Sequence, residues 1–228
     1  MEVALLFSGG KDSTFALWVA SLFGWEVKVL LTVLPESDSS YMFHHPNVQW
    51  VPLQAEAMSM PVIMRRSSGE KHAELEDLKF LIQSVQVDGV VTGAVESEYQ
   101  KERVDMICEE LGLRSFSPLW HKDGEQLLRE MVDAGFESII TSVSAEGLDE
   151  SWLGRRIDEE CIGELLKVSK KHGISVVGEG GEMETFVTDS PLFQRKVKIL
   201  KAEKTWDGVR GVFHIKDAKL AEKRSNRS

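Results

Sequence analysis

The feature that most constrains this chain lies in its first 25 residues. Val3 to Phe7 is a short, wholly apolar run, and Ser8-Gly9-Gly10-Lys11-Asp12 interrupts it. Ser13 to Phe23 then reads as a helix apolar almost all round, closed by Gly24. An apolar run without alternation suits a strand covered on both faces, which is the situation of a parallel sheet. A strand feeding a glycine-rich turn and a helix N-terminus is also an anion site. Backbone N–H groups converge there and the helix dipole favours negative charge. Gly9 and Gly10 let a phosphate approach the backbone, Lys11 adds a point positive charge, and Ser8 and Ser13 supply hydroxyl donors. The loop does not fit GxxxxGK[ST], since Lys11 is followed by Asp12, and it does not fit GxGxxG.

The alternation continues. Val27 to Leu34 reads as a second buried strand, Pro61 to Met64 as a shorter one, and Val90 to Thr92 as another. Leu75, Leu78, Leu81, Ile82 and Val85 mark an amphipathic helix. A further helix opens with the capping-box pattern Ser97-Glu98-Tyr99-Gln100, carries Val104, Ile107, Cys108 and Leu111 on one face, and stops at Gly112. Residues 35–50 are rich in turn formers. Buried strands alternating with helices predict an α/β fold with a doubly wound parallel sheet of Rossmann-like type.

The second half has another texture. Asp123 is placed to cap a helix bearing Leu127, Leu128, Met131 and Val132, followed by Gly135. Ser138 to Val143 reads as a strand. Asp158 is placed to cap a helix with Cys161, Ile162, Leu165 and Leu166 inward and Gly173 at its end. From Arg195 onward apolar and polar residues alternate on either side of Asp207-Gly208, a hairpin signal. The expected organisation is a nucleotide-binding domain over residues 1–121 and a smaller α+β domain over 122–228.

Composition narrows the partners. The 228 residues carry 27 basic and 37 acidic side chains, a net charge of −10, which opposes non-specific nucleic-acid binding. Cys108 and Cys161 form no CxxC pair and read as reduced, buried thiols. His44 and His45 have no third ligand at suitable spacing, so no zinc site is expected. No apolar run reaches the length of a membrane span and nothing at the N-terminus reads as a signal peptide, so a cytoplasmic setting is expected.

Two further constellations carry polar chemistry. Gly93-Ala94-Val95-Glu96-Ser97-Glu98-Tyr99-Gln100, with Arg103 one turn on, again follows a buried strand and opens a helix. Ligands of open α/β sheets sit outside the carboxyl ends of the strands, so this turn should face the same crevice as Gly9. Glu96 and Ser97 are candidates for polar contact, and the Arg103 fork suits a carboxylate or phosphate. A well-capped helix with solvated charges accounts for the same pattern. The third is Gly178-Glu179-Gly180-Gly181-Glu182-Met183-Glu184-Thr185. Its carboxylates suit Mg²⁺, a cationic group, or proton transfer from ammonium, while a solvated acidic loop is the plain alternative.

The string SGGKDS resembles the pyrophosphate loop of N-type ATP pyrophosphatases, the adenine-nucleotide α-hydrolase-like superfamily. Together with DSSYMFHHPN at 38–47, GAVESEYQKERVDMICEELGL at 93–113, PLWHKDGEQLL at 118–128, GLDESWLGRRID at 147–158 and EGGEMETFVTDSPLF at 179–193, it resembles the diphthine–ammonia ligase family over nearly the whole chain. That resemblance implies amidation of diphthine, the modified histidine of translation elongation factor 2, through an acyl-adenylate. ATP would leave as AMP and pyrophosphate, with free ammonia as nitrogen source. These residues read as neither a glutaminase domain nor a candidate Cys–His nucleophile pair, which is why free ammonia is the expected source.

The resemblance also implies roles. Ser8, Gly9, Gly10, Lys11, Asp12 and Ser13 would hold the polyphosphate, with Asp12 helping to hold Mg²⁺, and Thr32 and Gly93 would frame the adenosine. Glu96, Ser97, Tyr99, Gln100, Arg103, Trp152, Glu179, Gly180, Gly181 and Thr185 would line the acceptor side. Lys11, Asp12, Glu182 and Glu184 are the candidate catalytic residues. Diphthine carries a trimethylammonium group, which gives the glutamates an electrostatic purpose and Trp152 a cation–π one. Met183 departs from the family, which usually has an aromatic residue there. The rivals are another ATP pyrophosphatase acting on RNA or a small molecule, and a non-catalytic nucleotide sensor. A homo-oligomer is compatible with the sequence.

Overall fold

In the computed structural model, which describes residues 1–35, 46–67 and 71–223, the chain divides into two compact units. The first comprises Met1–Val51 with Met60–Lys122, and the second Pro52–Ser59 with Asp123–Ser228.

The first unit holds β1 (Glu2–Leu6), α1 (Lys11–Leu22), β2 (Glu26–Pro35), β3 (Val62–Ser67), α3 (Lys71–Gln83), β4 (Gly89–Val91), α4 (Glu98–Glu110) and β5 (Arg114–Phe116). All pairs are parallel, in the order β3-β2-β1-β4-β5. The chain steps outward from β1 to β3, then returns to β4 on the other side. The order therefore reverses between β1 and β4, and that point positions the site described below.

One face of the sheet is sealed by α3 and α4. Ala4, Val29, Leu31, Val33 and Val90 form one cluster with Leu78, Leu81 and Ile82 of α3 and Val104, Ile107 and Cys108 of α4. Val3, Leu5 and Leu30 are one residue out of phase, point to the opposite face, and are equally buried. Burial on both faces is the reason these strands read as continuous apolar runs. The helix α1 packs on β1, β2 and β4, burying Phe15, Ala16, Leu17 and Ala20. Each buried Leu, Val or Phe contributes about 1.5–3 kcal/mol.

The second unit holds α2 (Val51–Met58, from Pro52 on), α5 (Gly124–Asp133), β6 (Glu137–Val143), α6 (Glu159–His172), β7 (Met183–Asp189), β8 (Arg195–Trp206) and β9 (Gly211–Glu222). Its sheet runs β7-β6-β9-β8 and is antiparallel throughout. Both capping expectations hold: the Asp123 carboxylate accepts from the Gln126 N–H, and that of Asp158 from the Cys161 N–H. Gly173 closes α6 at φ 72°. The hairpin turns where expected. The Asp207 carboxylate accepts from the N–H groups of Arg210 and Val209 at 2.7 and 2.8 Å. Those bonds hold its carboxyl below the usual aspartate range.

Three elements lie outside the sequence reading. The strand β5 is only three residues long and half-buried. The strand β7 begins inside what reads as an acidic loop. The helix α2 sits in a stretch given no assignment, and its buried Gln54 donates to the Val187 carbonyl at 2.8 Å, 133 residues along the chain. Glu56 pairs with Arg195, and the Gln194 N–H donates to the Ala57 carbonyl. Local propensity carries no trace of such partners.

Candidate active site

The glycine-rich turn is built by its own side chains. Gly9 adopts φ 81°, a left-handed conformation that glycine reaches at no steric cost. The Ser8 N–H donates to Ser13 Oγ at 3.3 Å, and the Gly10 N–H donates to Ser8 Oγ at 3.3 Å. Ser13 Oγ donates to the Gly10 carbonyl at 3.2 Å. The two serine hydroxyls stand 3.1 Å apart. Gly10 is the N-cap of α1 and has no side chain with which to cap the helix. Lys11 is 2% exposed and donates to Asp12 Oδ2 at 2.7 Å, with Asp12 25% exposed. The loop thus holds a buried cation beside hydroxyls and backbone donors, a phosphate-binding set.

The β4–α4 turn meets this loop at the reversal of strand order. A Cβ on Gly93 would lie 2.7 Å from Asp12 C and Ser13 N and 2.9 Å from Ser13 Cα. The two turns touch backbone to backbone, and only a residue without a Cβ fits. Gly93 therefore acts here by close approach. The turn is braced from three sides. The Ala94 N–H donates to Thr92 Oγ1 at 3.1 Å, the Thr92 N–H donates to the Phe116 carbonyl at 2.8 Å, and the His121 N–H donates to the Val95 carbonyl at 2.8 Å. His121 reaches Val95 in a left-handed conformation, φ 56°, with its ring stacked on Trp120. The sequence gives no sign of this brace, because the bond from His121 to Val95 exists only in the fold.

Ser97 caps α4, accepting from the Gln100 N–H at 3.4 Å, and Glu96 beside it is exposed. Tyr99 and Arg103 act as a pair. The Arg103 guanidinium lies 3.2 Å from the Tyr99 ring centroid, and its Nη1 donates to the Tyr99 carbonyl at 2.9 Å. Its buried Nε has no hydrogen-bond partner among the described residues, an open donor for an oxygen acceptor. Thr32, expected beside the nucleotide, is 2% exposed, and its hydroxyl donates to the Phe7 carbonyl at 2.7 Å. That bond ties β2 to the end of β1, so the Thr32 hydroxyl fastens the loop's base.

The glutamate segment belongs to the second unit. The two Glu182 carboxylate oxygens accept from the N–H groups of Ser175 at 3.0 Å and Gly180 at 2.8 Å. Ser144 adds a bond from its N–H to the Glu182 carbonyl and one from its hydroxyl to the Gly181 carbonyl. Glu182 thereby braces residues 175–182. Gly178, at φ 79° with the Met183 carbonyl 2.6 Å from any added Cβ, has to be glycine. Glu179 and Glu184 are partly exposed, Gly180 and Gly181 are exposed, and Thr185 is buried in β7. Glu184 stands opposite Ser142 in the ladder and Thr185 opposite Ile140. Trp152 is 6% exposed with the Arg155 guanidinium 4.9 Å from its ring centroid, and Arg155 also pairs with Glu164. The ring is thus buried in the second unit and already faces a cation.

The family described as Diphthamide synthase N-terminal domain matches residues 1–115, and that described as Diphthamide synthase C-terminal domain matches residues 123–221. The chain belongs to the diphthamide synthase family. Among its relatives, the diphthine--ammonia ligase of Rattus norvegicus is 37% identical over 96% of this chain and 87% of its own length. That of Homo sapiens is 35% identical over 89% of this chain and 84% of its own. That of Danio rerio is 36% identical over 96% of this chain and 91% of its own.

Within that family the Met183 departure has a structural account. Met183 is 3% exposed and its Cγ lies against the Gly178 position, so it fills core space. His44 and His45 lie outside the described residues. No group of three or more His, Cys, Asp or Glu side chains arranged to hold a metal occurs among the described residues. No described helix is long and apolar enough to cross a membrane. Burial pushes the thiols of Cys108 and Cys161 up to about 11, so neither is a nucleophile near neutral pH.

Proposed function

We propose that this chain is an ATP-dependent ligase that joins ammonia to the carboxylate of diphthine on translation elongation factor 2. The observation that carries this reading is the fit of Gly93 against the backbone of Asp12 and Ser13, which unites two turns at the reversal point of a parallel sheet. The family membership supports the acceptor and the nitrogen source.

In the first half-reaction the diphthine carboxylate attacks the α-phosphorus of ATP. The bond to the β-phosphate oxygen breaks, and pyrophosphate leaves. In the second, ammonia attacks the acyl carbon, the bond to AMP breaks, and a proton is lost from nitrogen. Lys11 and the N–H groups of the first turn of α1 neutralise the departing pyrophosphate. The Ser8 and Ser13 hydroxyls fix its orientation, and the Arg103 fork takes a phosphate or carboxylate oxygen. Glu179 and Glu184 supply negative charge for the trimethylammonium group.

Asp12 is the one residue we assign to Mg²⁺. A single carboxylate fits the habit of that ion, which takes most of its ligands from phosphates and water. It would supply charge neutralisation on the polyphosphate.

The test is pyrophosphate release and amide formation from ATP and ammonium, comparing diphthine-bearing with unmodified elongation factor 2. Both products only with the diphthine-bearing form support the reading. ATP binding without release points to a sensor, and release with an RNA or small-molecule acceptor replaces the substrate.

A further inference from the structure

Charge along this chain is segregated. Residues 195–223, the β8–β9 ribbon with Lys223, hold nine basic and four acidic side chains, whereas residues 1–194 hold sixteen basic and 33 acidic. A net positive ribbon within a strongly negative chain is not an average surface.

The ribbon is also two-faced. Val197 faces Leu220 and Ile199 faces Ala218, which places four apolar residues on one side. Lys196 and Lys198 alternate to the other, and Lys219 stands directly opposite Lys198. Lys198 and Lys219 are exposed and Lys196 partly so. Like charges directly across a ladder destabilise it. Four of the other ribbon cations are matched: Arg195 by Glu56, Lys201 and Lys216 by Glu203, and Lys223 by Asp189. Lys196, Lys198 and Lys219 make no ion pair among the described residues.

Lysines on an edge strand discourage sheet-to-sheet pairing, and β8 is such an edge. That purpose accounts for Lys198. Beyond Val212 β9 is bonded in the ladder to β8 alone, so the same purpose extends to a lysine on its other margin, but it does not account for setting Lys219 directly opposite Lys198. Leu200, the extra residue beside Lys201, is 46% exposed and adds an apolar point next to the basic patch.

We propose that the basic face of this ribbon, centred on Lys196, Lys198 and Lys219, docks an acidic patch on the protein substrate. The proposal rests on the ligase reading, in which the acceptor side chain is carried by a protein. A protein patch fits better than RNA on two grounds. Among the described residues no Phe, Tyr or Trp neighbours these lysines in the ladder to stack a base, and the excess of acidic residues elsewhere repels an extended polyanion.

The experiment compares the wild-type chain with a Lys196→Glu, Lys198→Glu, Lys219→Glu variant and its Gln counterpart, using diphthine-bearing elongation factor 2 as substrate over a range of salt. Wild-type turnover is read first, and its absence overturns the ligase reading together with this one. With turnover present, the expected result is a KM for the protein raised on the order of tenfold by reversal and less by neutralisation. The kcat and the KM for ATP stay unchanged, and the salt dependence of kcat/KM flattens. An unchanged protein KM in a folded variant overturns the docking surface and leaves the ligase standing. So does an unchanged protein KM accompanied by loss of binding to a single-stranded RNA oligonucleotide, or by conversion of a dimer to a monomer.

Discussion

Replacing Gly93 with alanine places a methyl group 2.7 Å from two backbone atoms of the glycine-rich loop and 2.9 Å from a third. Ordinary contact begins at 3.4 Å, so one of the two turns has to retreat by about 0.7 Å. None of the three atoms is the end of a flexible side chain, so the strain has no cheap outlet. Overpacking of this kind costs about 1–3 kcal/mol. In a chain of this size each kcal/mol lowers Tm by roughly 2–4 °C, which predicts a fall of about 2–12 °C. The catalytic effect should be larger. Misplacement of a reacting group by about 1 Å costs on the order of 100-fold, and the displaced atoms here belong to the phosphate loop. Gly163→Ala is the control: this glycine lies within α6, with nothing within 4 Å of an added Cβ, and its change should stabilise by about 0.5–1 kcal/mol. Thermal melts and pyrophosphate release read both variants. If Gly93→Ala melts with the wild type and keeps half its turnover or more, the argument that these two turns form one site is refuted.

Lys11→Ala removes the buried cation of the loop and should lower kcat by about 100- to 1,000-fold with ATP still bound weakly, measured by turnover and calorimetric titration. Glu182→Ala leaves the Ser175 and Gly180 N–H groups without their acceptor and should cost about 1–3 kcal/mol by denaturant unfolding. Glu184→Gln removes the charge while keeping the side-chain shape and should raise the KM for the cationic substrate, read from initial rates. Cys108 and Cys161 have ordinary thiol values of 9.0, raised to about 11 by burial. Between those values the unfolded chain holds fewer protons than the folded one, so stability should fall as pH rises from about 9 to 11. Melting curves of a Cys108→Ala, Cys161→Ala variant should lose that slope. Lys198→Glu converts a like-charge pair into an attractive one and should stabilise by about 0.2–1 kcal/mol while weakening the protein substrate.

The two halves of the fold were legible in the sequence for different reasons. Burial on both faces erased alternation from β1 and β2, leaving apolar runs that only a covered parallel sheet explains. The caps at Ser97, Asp123 and Asp158 could be read because the bonding N–H lies three residues away. The glycine-rich loop could be read because its donors are consecutive. These are short-range chemistries, and the sequence holds both partners side by side.

What only the tertiary structure decided is every pairing between distant residues. Gly93 could be recognised as a loop glycine, but its need to lack a Cβ comes from the backbone of Asp12 and Ser13, eighty residues earlier. The sequence shows Glu182 as one carboxylate among three in its segment, and only the fold turns the Ser175 and Gly180 N–H groups toward it. The Arg155 guanidinium over the Trp152 ring and the reach of Gln54 to Val187 likewise exist only in the fold. Residue types and spacing thus determine which elements form and where an anion can bind. Which side chains hold the site and which remain for chemistry depends on contacts that exist only once the chain has closed on itself.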